Sequence, residues 1–155
     1  MKKIEEIQEK LQEKNLDAIL VTNPTNVYYL THMSCDPHER LLMVVIQRNR
    51  VSMLVPAMEY ENAKRSVDKN IEIVKYLDTE DGYMLLMNKV GKLKAVGIEK
   101  EHLVVDRLER ISKIFGIEEC VRIDEDIKDM RKYKSSSELE KMRVAASLAD
   151  KAISI

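Results

Sequence analysis

Apolar residues recur at helical spacing at the start of the chain, which predicts an opening helix with one buried face. The apolar positions on this face are Ile4, Ile7 and Leu11. A continuous apolar run, Ala18–Val21, then predicts a short strand that is buried on both faces. Asn23 and Pro24 follow it, and this pair predicts the capped start of a second short helix.

Two further apolar runs, Leu41–Ile46 and Val51–Val55, flank a polar turn and predict a β-hairpin. Asn49 lies in this turn and is able to take a positive φ angle, which Asn tolerates better than most residues. Asp124 is expected to cap a short helix that runs towards Lys132. The intervening patterns predict helices at 58–67, 83–90 and 104–115, and strands at 71–76, 95–98 and 120–123.

Strands that alternate with helices predict an α/β fold, and the hairpin argues against an all-parallel sheet. We therefore expect a mixed sheet of about five to six strands that is covered by helices.

A cluster of serines near the carboxyl end predicts a new helix. Glu138 stands three residues after Ser135, which is the spacing of a capping box. The apolar positions that follow at helical spacing are Leu139, Met142, Ala145, Ala146, Ala149 and Ile153. The pattern has no stop signal at Ile155, so we expect the parent protein to continue. We predict one domain over residues 1–134, and over residues 135–155 a linker with the first helix of a further domain.

The composition narrows the class of protein. The chain has 155 residues, of which 45% are hydrophobic and 34% charged, and its formal net charge is -1. These balanced charges give no reason to expect a nucleic-acid partner. No apolar run reaches the about 18–20 residues that span a bilayer, and the charged opening helix is unlike a secretion signal. We therefore expect a cytoplasmic protein without a membrane partner, in which Cys35 and Cys120 are free thiols.

The segment from Thr31 to Glu39 has no apolar period and predicts an exposed loop, which carries the richest chemistry of the chain. Its candidate functional residues are His32, Asp36, His38, Glu39 and Arg40. Asp36 or Glu39 can pair with an amino group, and Arg40 or a charged His38 can bind a carboxylate. An ordinary solvated loop is the alternative. His32, Cys35 and His38 are residue types that bind zinc, but no fourth ligand is evident, so we expect no metal site.

Several segments, taken in order, resemble one known family, the creatinase/prolidase/aminopeptidase P family. Its opening motif, a buried strand followed by Asn-x-x-Tyr-Leu-Thr, is similar to residues 16–31, where Asn26 and Tyr29 match the motif. Other similar stretches are Glu39–Met43, Leu54–Tyr60, and Met130–Ser135 with the helix that follows. The chain departs from the family at His32 and Met33, where a Gly and an aromatic residue are usual.

The resemblance implies that this chain is a non-catalytic amino-terminal domain of a dipeptidase or aminopeptidase that cleaves next to proline. In the family, two divalent metals (manganese, cobalt or zinc) are held by two Asp, one His and two Glu of a carboxy-terminal domain, and the chain does not reach those motifs. The implied partners are that missing catalytic domain, a second copy in a homodimer, and a short proline-containing peptide. The domain would help to pair two subunits and to wall the active site.

The candidate wall residues are those of the loop together with Asn26 and Tyr29. Asn26 and Tyr29 each have two interpretations: the side chain contacts the substrate or a subunit interface, or it satisfies backbone groups near a turn. For the whole protein, two alternatives to a metallopeptidase remain. One is a creatinase-like amidinohydrolase, and the other is a binding or assembly module without catalysis.

Overall fold

The computed structural model describes residues 2–153, and its centre is one six-stranded mixed sheet. The strands are β1 (Ala18–Val21), β2 (Met43–Ile46), β3 (Val51–Pro56), β4 (Ile71–Tyr76), β5 (Ala95–Ile98) and β6 (Glu119–Arg122). Their order across the sheet is β4-β3-β2-β1-β5-β6, and β2 alone runs against the others. The predicted α/β fold is thus confirmed, at the upper end of the expected strand number.

Helices cover both faces of this sheet. They are α1 (Lys2–Glu13), α2 (Pro24–Thr31), α3 (Tyr60–Ser66), α4 (Gly82–Val90), α5 (Val105–Phe115), α6 (Asp124–Lys132) and α7 (Ser136–Ile153). Buried side chains of α1, α2, α3 and α6 form a core with one sheet face, and those of α4 and α5 form a core with the other. The predicted face of α1 is confirmed, since its buried residues are Ile4, Ile7 and Leu11.

The centre of the sheet is tightly packed at Gly97 in β5. A Cβ added there would lie 2.6 Å from Cγ2 of Ile123 and 3.0 Å from Cγ1 of Ile19. Both isoleucines are fully buried, so neither can move towards solvent. Glycine at this position lets the layer of α6 approach the sheet closely.

One conformation that the sequence allows is not adopted, and one local prediction is wrong. Asn49 is not among the residues with positive φ. The amide of Gln8 in α1 donates to the carbonyls of Gln47 and Arg48 at 2.8 and 3.1 Å, so a tertiary contact helps to set this turn. Asp124 does not cap its own helix. Its buried carboxylate turns to the loop after β5 and accepts two backbone N–H groups there, each at 3.0 Å.

The last helix, α7, has no buried residue, in contrast to every other α-helix. Its predicted capping box is confirmed: the Ser135 N–H donates to Glu138 at 2.8 Å, and the Glu138 N–H donates to the Ser135 hydroxyl at 3.3 Å. Glu138 also accepts from Lys3 at 2.7 Å, which ties α7 to α1. The predicted helical run to Ile155 ends in two residues, 154 and 155, that lie outside the described part of the chain.

Candidate functional site

The loop between α2 and β2, residues 32–42, is fixed at its beginning by the fold. His32 ends α2 in a left-handed conformation, with φ of 63°, and its N–H donates to the Tyr28 carbonyl at 2.8 Å. The next side chain, Met33, is completely buried in the core. The loop therefore leaves α2 at a fixed point.

The other end of the loop is held at the edge of the sheet where β3 and β4 end. The Arg40 guanidinium donates to both carboxylate oxygens of Asp78, at 3.1 and 3.2 Å, and this contact lowers the pKa of Asp78. The Leu41 N–H donates to the Tyr76 hydroxyl at 2.6 Å. Arg107 of α5 donates to the Glu39 carbonyl at 2.8 Å. These three contacts hold the carboxyl end of the loop against two other elements.

The middle of the loop projects into solvent. The side chains of Asp36 and His38 are 79% and 70% exposed, and their Oδ1 and Nδ1 atoms lie 3.7 Å apart. His38 has a positive φ of 49°, which is uncommon for a residue other than glycine. Between the anchored ends, Cys35 packs against the core, and burial raises the pKa of its free thiol to about 11. This thiol is protonated near neutral pH and therefore a poor nucleophile.

The structure thus brings four predicted residues, Asp36, His38, Glu39 and Arg40, to one anchored loop, while His32 lies at its start. His32 packs its ring edge-on against Tyr28, with ring centroids 6.3 Å apart. In residues 2–153, no three His, Cys, Asp or Glu side chains form a group that could hold a metal ion. The described chain also has no helix that is long and apolar enough to cross a membrane.

A second polar cluster, which the sequence analysis missed, surrounds Glu99 just beyond the end of β5. This carboxylate is only 2% exposed and accepts the Thr22 N–H at 2.6 Å, the Asn23 N–H at 2.8 Å and the Asn26 amide at 2.6 Å. The Thr22 hydroxyl also lies 3.0 Å from Nδ1 of His102. The available signal was an acid directly after the apolar strand, at the sequence Gly-Ile-Glu.

Both motif residues of α2 bond to the protein itself. Asn26 donates to Glu99, and its Oδ1 accepts from the Arg131 guanidinium at 2.9 Å. The Tyr29 hydroxyl donates to the Met130 carbonyl at 2.9 Å. These bonds support the structural interpretation of Asn26 and Tyr29, because they fix α2 against the sheet and α6.

Comparison with known proteins identifies the fold that carries these two clusters. Residues 3–133 match the family described as the creatinase/prolidase N-terminal domain. The chain belongs to this family. This match confirms the resemblance to the creatinase/prolidase family that is seen in the sequence.

Relatives of this creatinase/prolidase domain include two longer staphylococcal proteins. It is 40% identical over 156 residues to an uncharacterized peptidase of Staphylococcus epidermidis, and that alignment covers 100% of the chain but 43% of the relative. The corresponding identity to an uncharacterized peptidase of Staphylococcus haemolyticus is 41%, again with 43% of the relative covered. The chain therefore spans less than half the length of these relatives.

Solved structures show the same domain both alone and within longer chains. A proline dipeptidase from Streptococcus pneumoniae has a TM-score of 0.80 at 27% identity, over 85% of this chain and 98% of the other. A prolidase from Pyrococcus horikoshii has a TM-score of 0.84 at 29% identity, over 99% of this chain and 41% of the other. The division at residues 134 and 135 remains a prediction.

Proposed function

We propose that this chain is the non-catalytic amino-terminal domain of a cytosolic metallopeptidase that cleaves next to proline, as a dipeptidase or an aminopeptidase P. The names of the relatives support a peptidase over an amidinohydrolase, since they are peptidases, a proline dipeptidase and a prolidase. The share of the longer relatives that is covered, 43%, supports an amino-terminal part of a larger protein. Bound metals would polarise the scissile carbonyl and activate water in the remaining part.

The role that we propose for the domain is to wall an active site with the loop of residues 32–42. The observation that carries this proposal is the contrast within the loop. Both of its ends are anchored, while Asp36 and His38 between them are exposed. A loop that is held at both ends presents such groups with a smaller ordering cost on binding than an unanchored loop. Asp36 can pair with the amino group of a short peptide, and a charged His38 can pair with its carboxylate.

We further propose that two copies of the chain pair at the edge where this loop is anchored. Three exposed apolar side chains lie close in sequence to the anchors: Leu77 precedes Asp78, and Val104 and Val105 precede Arg107. Burying these side chains against a second copy would be favourable, because the contact would remove their apolar surface from water. Such a homodimer would bring the loop of one subunit towards the other subunit.

The test uses the longer parent protein with added manganese and Xaa-Pro dipeptides as substrates. Asp36→Ala and His38→Ala each remove one charge-assisted contact, so we expect kcat/KM to fall about tenfold to a hundredfold. Metal content should stay unchanged, because the loop holds no metal in this proposal. Glu9→Ala is the matched control, since it removes an exposed acid of α1 and should leave kcat/KM unaltered.

Three results would count against these proposals. An unaltered kcat/KM in both loop variants would refute the wall. A monomer in light scattering of the parent protein would refute the pairing. No turnover of any Xaa-Pro peptide by the parent would favour the amidinohydrolase or the binding module, and hydrolysis of creatine would decide between those two.

A further inference from the structure

A cleft of about 720 Å³ lies between α2, α6 and α7, and it meets the loop that we propose as a wall only at His32. Its volume falls in the range of small-molecule sites, about 300–1,000 Å³. Tyr28 and Tyr29 form one side, Arg131 and Tyr133 lie at the end of α6, and Lys141 projects from α7. The cleft thus separates the compact domain from the helix that has no buried face.

The lining of this cleft is strongly basic although the whole chain carries a net charge of -1. It contains six Lys or Arg side chains and one acid, Glu138, which is already paired with Lys3 at 2.7 Å. Within residues 2–153, no carboxylate partner lies within salt-bridge distance of Arg131, Lys134 or Lys141. The other two cations of the lining, Lys128 and Lys132, are already paired with acids. Lys128 pairs with Glu101 and Glu125, and Lys132 pairs with Asp129. Three positive charges of the lining therefore have no acid partner. The ammonium of one of them, Lys134, already donates to the carbonyls of Arg131 and Lys132 at 2.7 and 3.1 Å.

One of these cations is held in position by the buried cluster around Glu99. Arg131 donates to Oδ1 of Asn26 at 2.9 Å, and the amide nitrogen of Asn26 donates to Glu99 at 2.6 Å. Because the amide, and not an acid, orients the guanidinium, its charge is not neutralised. A pre-oriented Arg loses less conformational entropy when it binds an anion.

Two of the three tyrosines that line the cleft are exposed, while the ring of the third, Tyr29, packs on the core and lies under Lys3. Tyr133 is 84% exposed and Tyr28 is 52% exposed, so each has a ring face that water covers. We propose that this cleft binds a small phosphorylated molecule that carries an aromatic ring, a ligand of the nucleotide class. Arg131 and Lys141 bind its phosphates, as guanidinium and ammonium groups do, and Tyr28 and Tyr133 stack on its ring. Peptide hydrolysis does not require such a ligand, so the site goes beyond the proposed function.

The test is isothermal titration calorimetry of the 155-residue chain with ATP, without divalent metal, in buffer of low ionic strength. We expect saturable binding with one site per chain. Arg131→Met and Lys141→Met should each weaken it about tenfold or more, since each removes a charge-assisted contact. Lys113→Met is the matched control, because Lys113 is exposed on α5 at the opposite face of the sheet. The affinity of this variant for ATP should be unchanged.

Two further ligands and one further protein complete the experiment. Tripolyphosphate should bind more weakly than ATP, and adenosine more weakly still. The proposal is overturned if ATP does not bind at millimolar concentration, if Lys113→Met weakens binding as much as Lys141→Met, or if tripolyphosphate binds as tightly as ATP. It is also overturned if the longer parent does not bind ATP, which would show that the rest of that protein covers the cleft. None of these readouts depends on peptidase activity.

Discussion

Removing the buried carboxylate of Glu99 should destabilise the domain strongly, because four donors converge on it, one of which is the Thr22 hydroxyl at 3.3 Å. The Thr22 and Asn23 N–H groups donate to Oε2, and the Asn26 amide donates to Oε1. Together these bonds hold the turn between β1 and α2 against the end of β5. Glu99→Ala takes away all four acceptor contacts at a site that is closed to bulk water, since the side chain is 2% exposed.

The expected loss follows from the cost of unpaired buried donors, about 1–3 kcal/mol for each group. Thr22 is buried and Asn23 and Asn26 are half-buried, so we expect Glu99→Ala to lower the free energy of unfolding by about 3–5 kcal/mol. Glu99→Gln keeps the shape, but its amide nitrogen must face one of the donors, so we expect about 1–3 kcal/mol. If Asn26 turned over to accept from the new amide, it would lose its bond from Arg131.

The assay is urea unfolding of the 155-residue chain, followed by far-ultraviolet circular dichroism because the chain has no Trp. The midpoint should fall while the slope with urea stays constant, which would show that the folded state is otherwise intact. Glu119→Gln, an exposed acid at the start of β6, is the control and should stay within about 0.5 kcal/mol. A Glu99→Ala variant as stable as that control would refute the reasoning.

Two further predictions concern the core and the attachment of α7. Gly97→Ala should lower the free energy of unfolding by about 1–3 kcal/mol, because the added methyl group overpacks against Ile123 and Ile19. The loss should be smaller in an Ile123→Ala background. An unchanged melting temperature would contradict this prediction. Lys3 and the capping contacts lower the pKa of Glu138 from 4.5 to about 2. The stability that ionised Glu138 gives to the folded state is therefore complete above pH 4.5 and is lost as the pH falls towards 2. Lys3→Met should raise this pKa in a carboxyl NMR titration, and an unmoved value would refute the contact.

The patterns that predicted the fold are local ones. Ala18–Val21 and β2 are continuous apolar runs, and β3 is apolar apart from Ser52. Such runs are found where helices cover both faces of a sheet. The Asn23 cap of α2 and the Ser135 capping box depend on neighbours two or three residues away, so the sequence alone predicts them correctly.

The features that the sequence did not predict depend on partners far along the chain. Glu99 is 77 residues from Thr22, and Asp124 is 24 residues from the Lys100 N–H that it accepts. The apolar pattern of the sequence does not show which backbone N–H groups lack an acceptor once the strands are aligned. From the sequence alone, a buried acid after a strand therefore cannot be distinguished from a solvated one. The same reason explains Asn49, whose turn is fixed by contacts from α1.

The loop and the cleft meet at His32, yet the packing separates them mechanically. His32 lines the cleft and ends α2, whereas the next residue, Met33, is fully buried in the core. Moving Met33 would open a cavity, and losing a buried methionine side chain costs about 2–5 kcal/mol. A ligand in the cleft would need to supply that energy to move the loop through α2. The exposed pair of Asp36 and His38 is therefore set by its own anchors at the sheet edge, and the two surfaces can bind different partners independently.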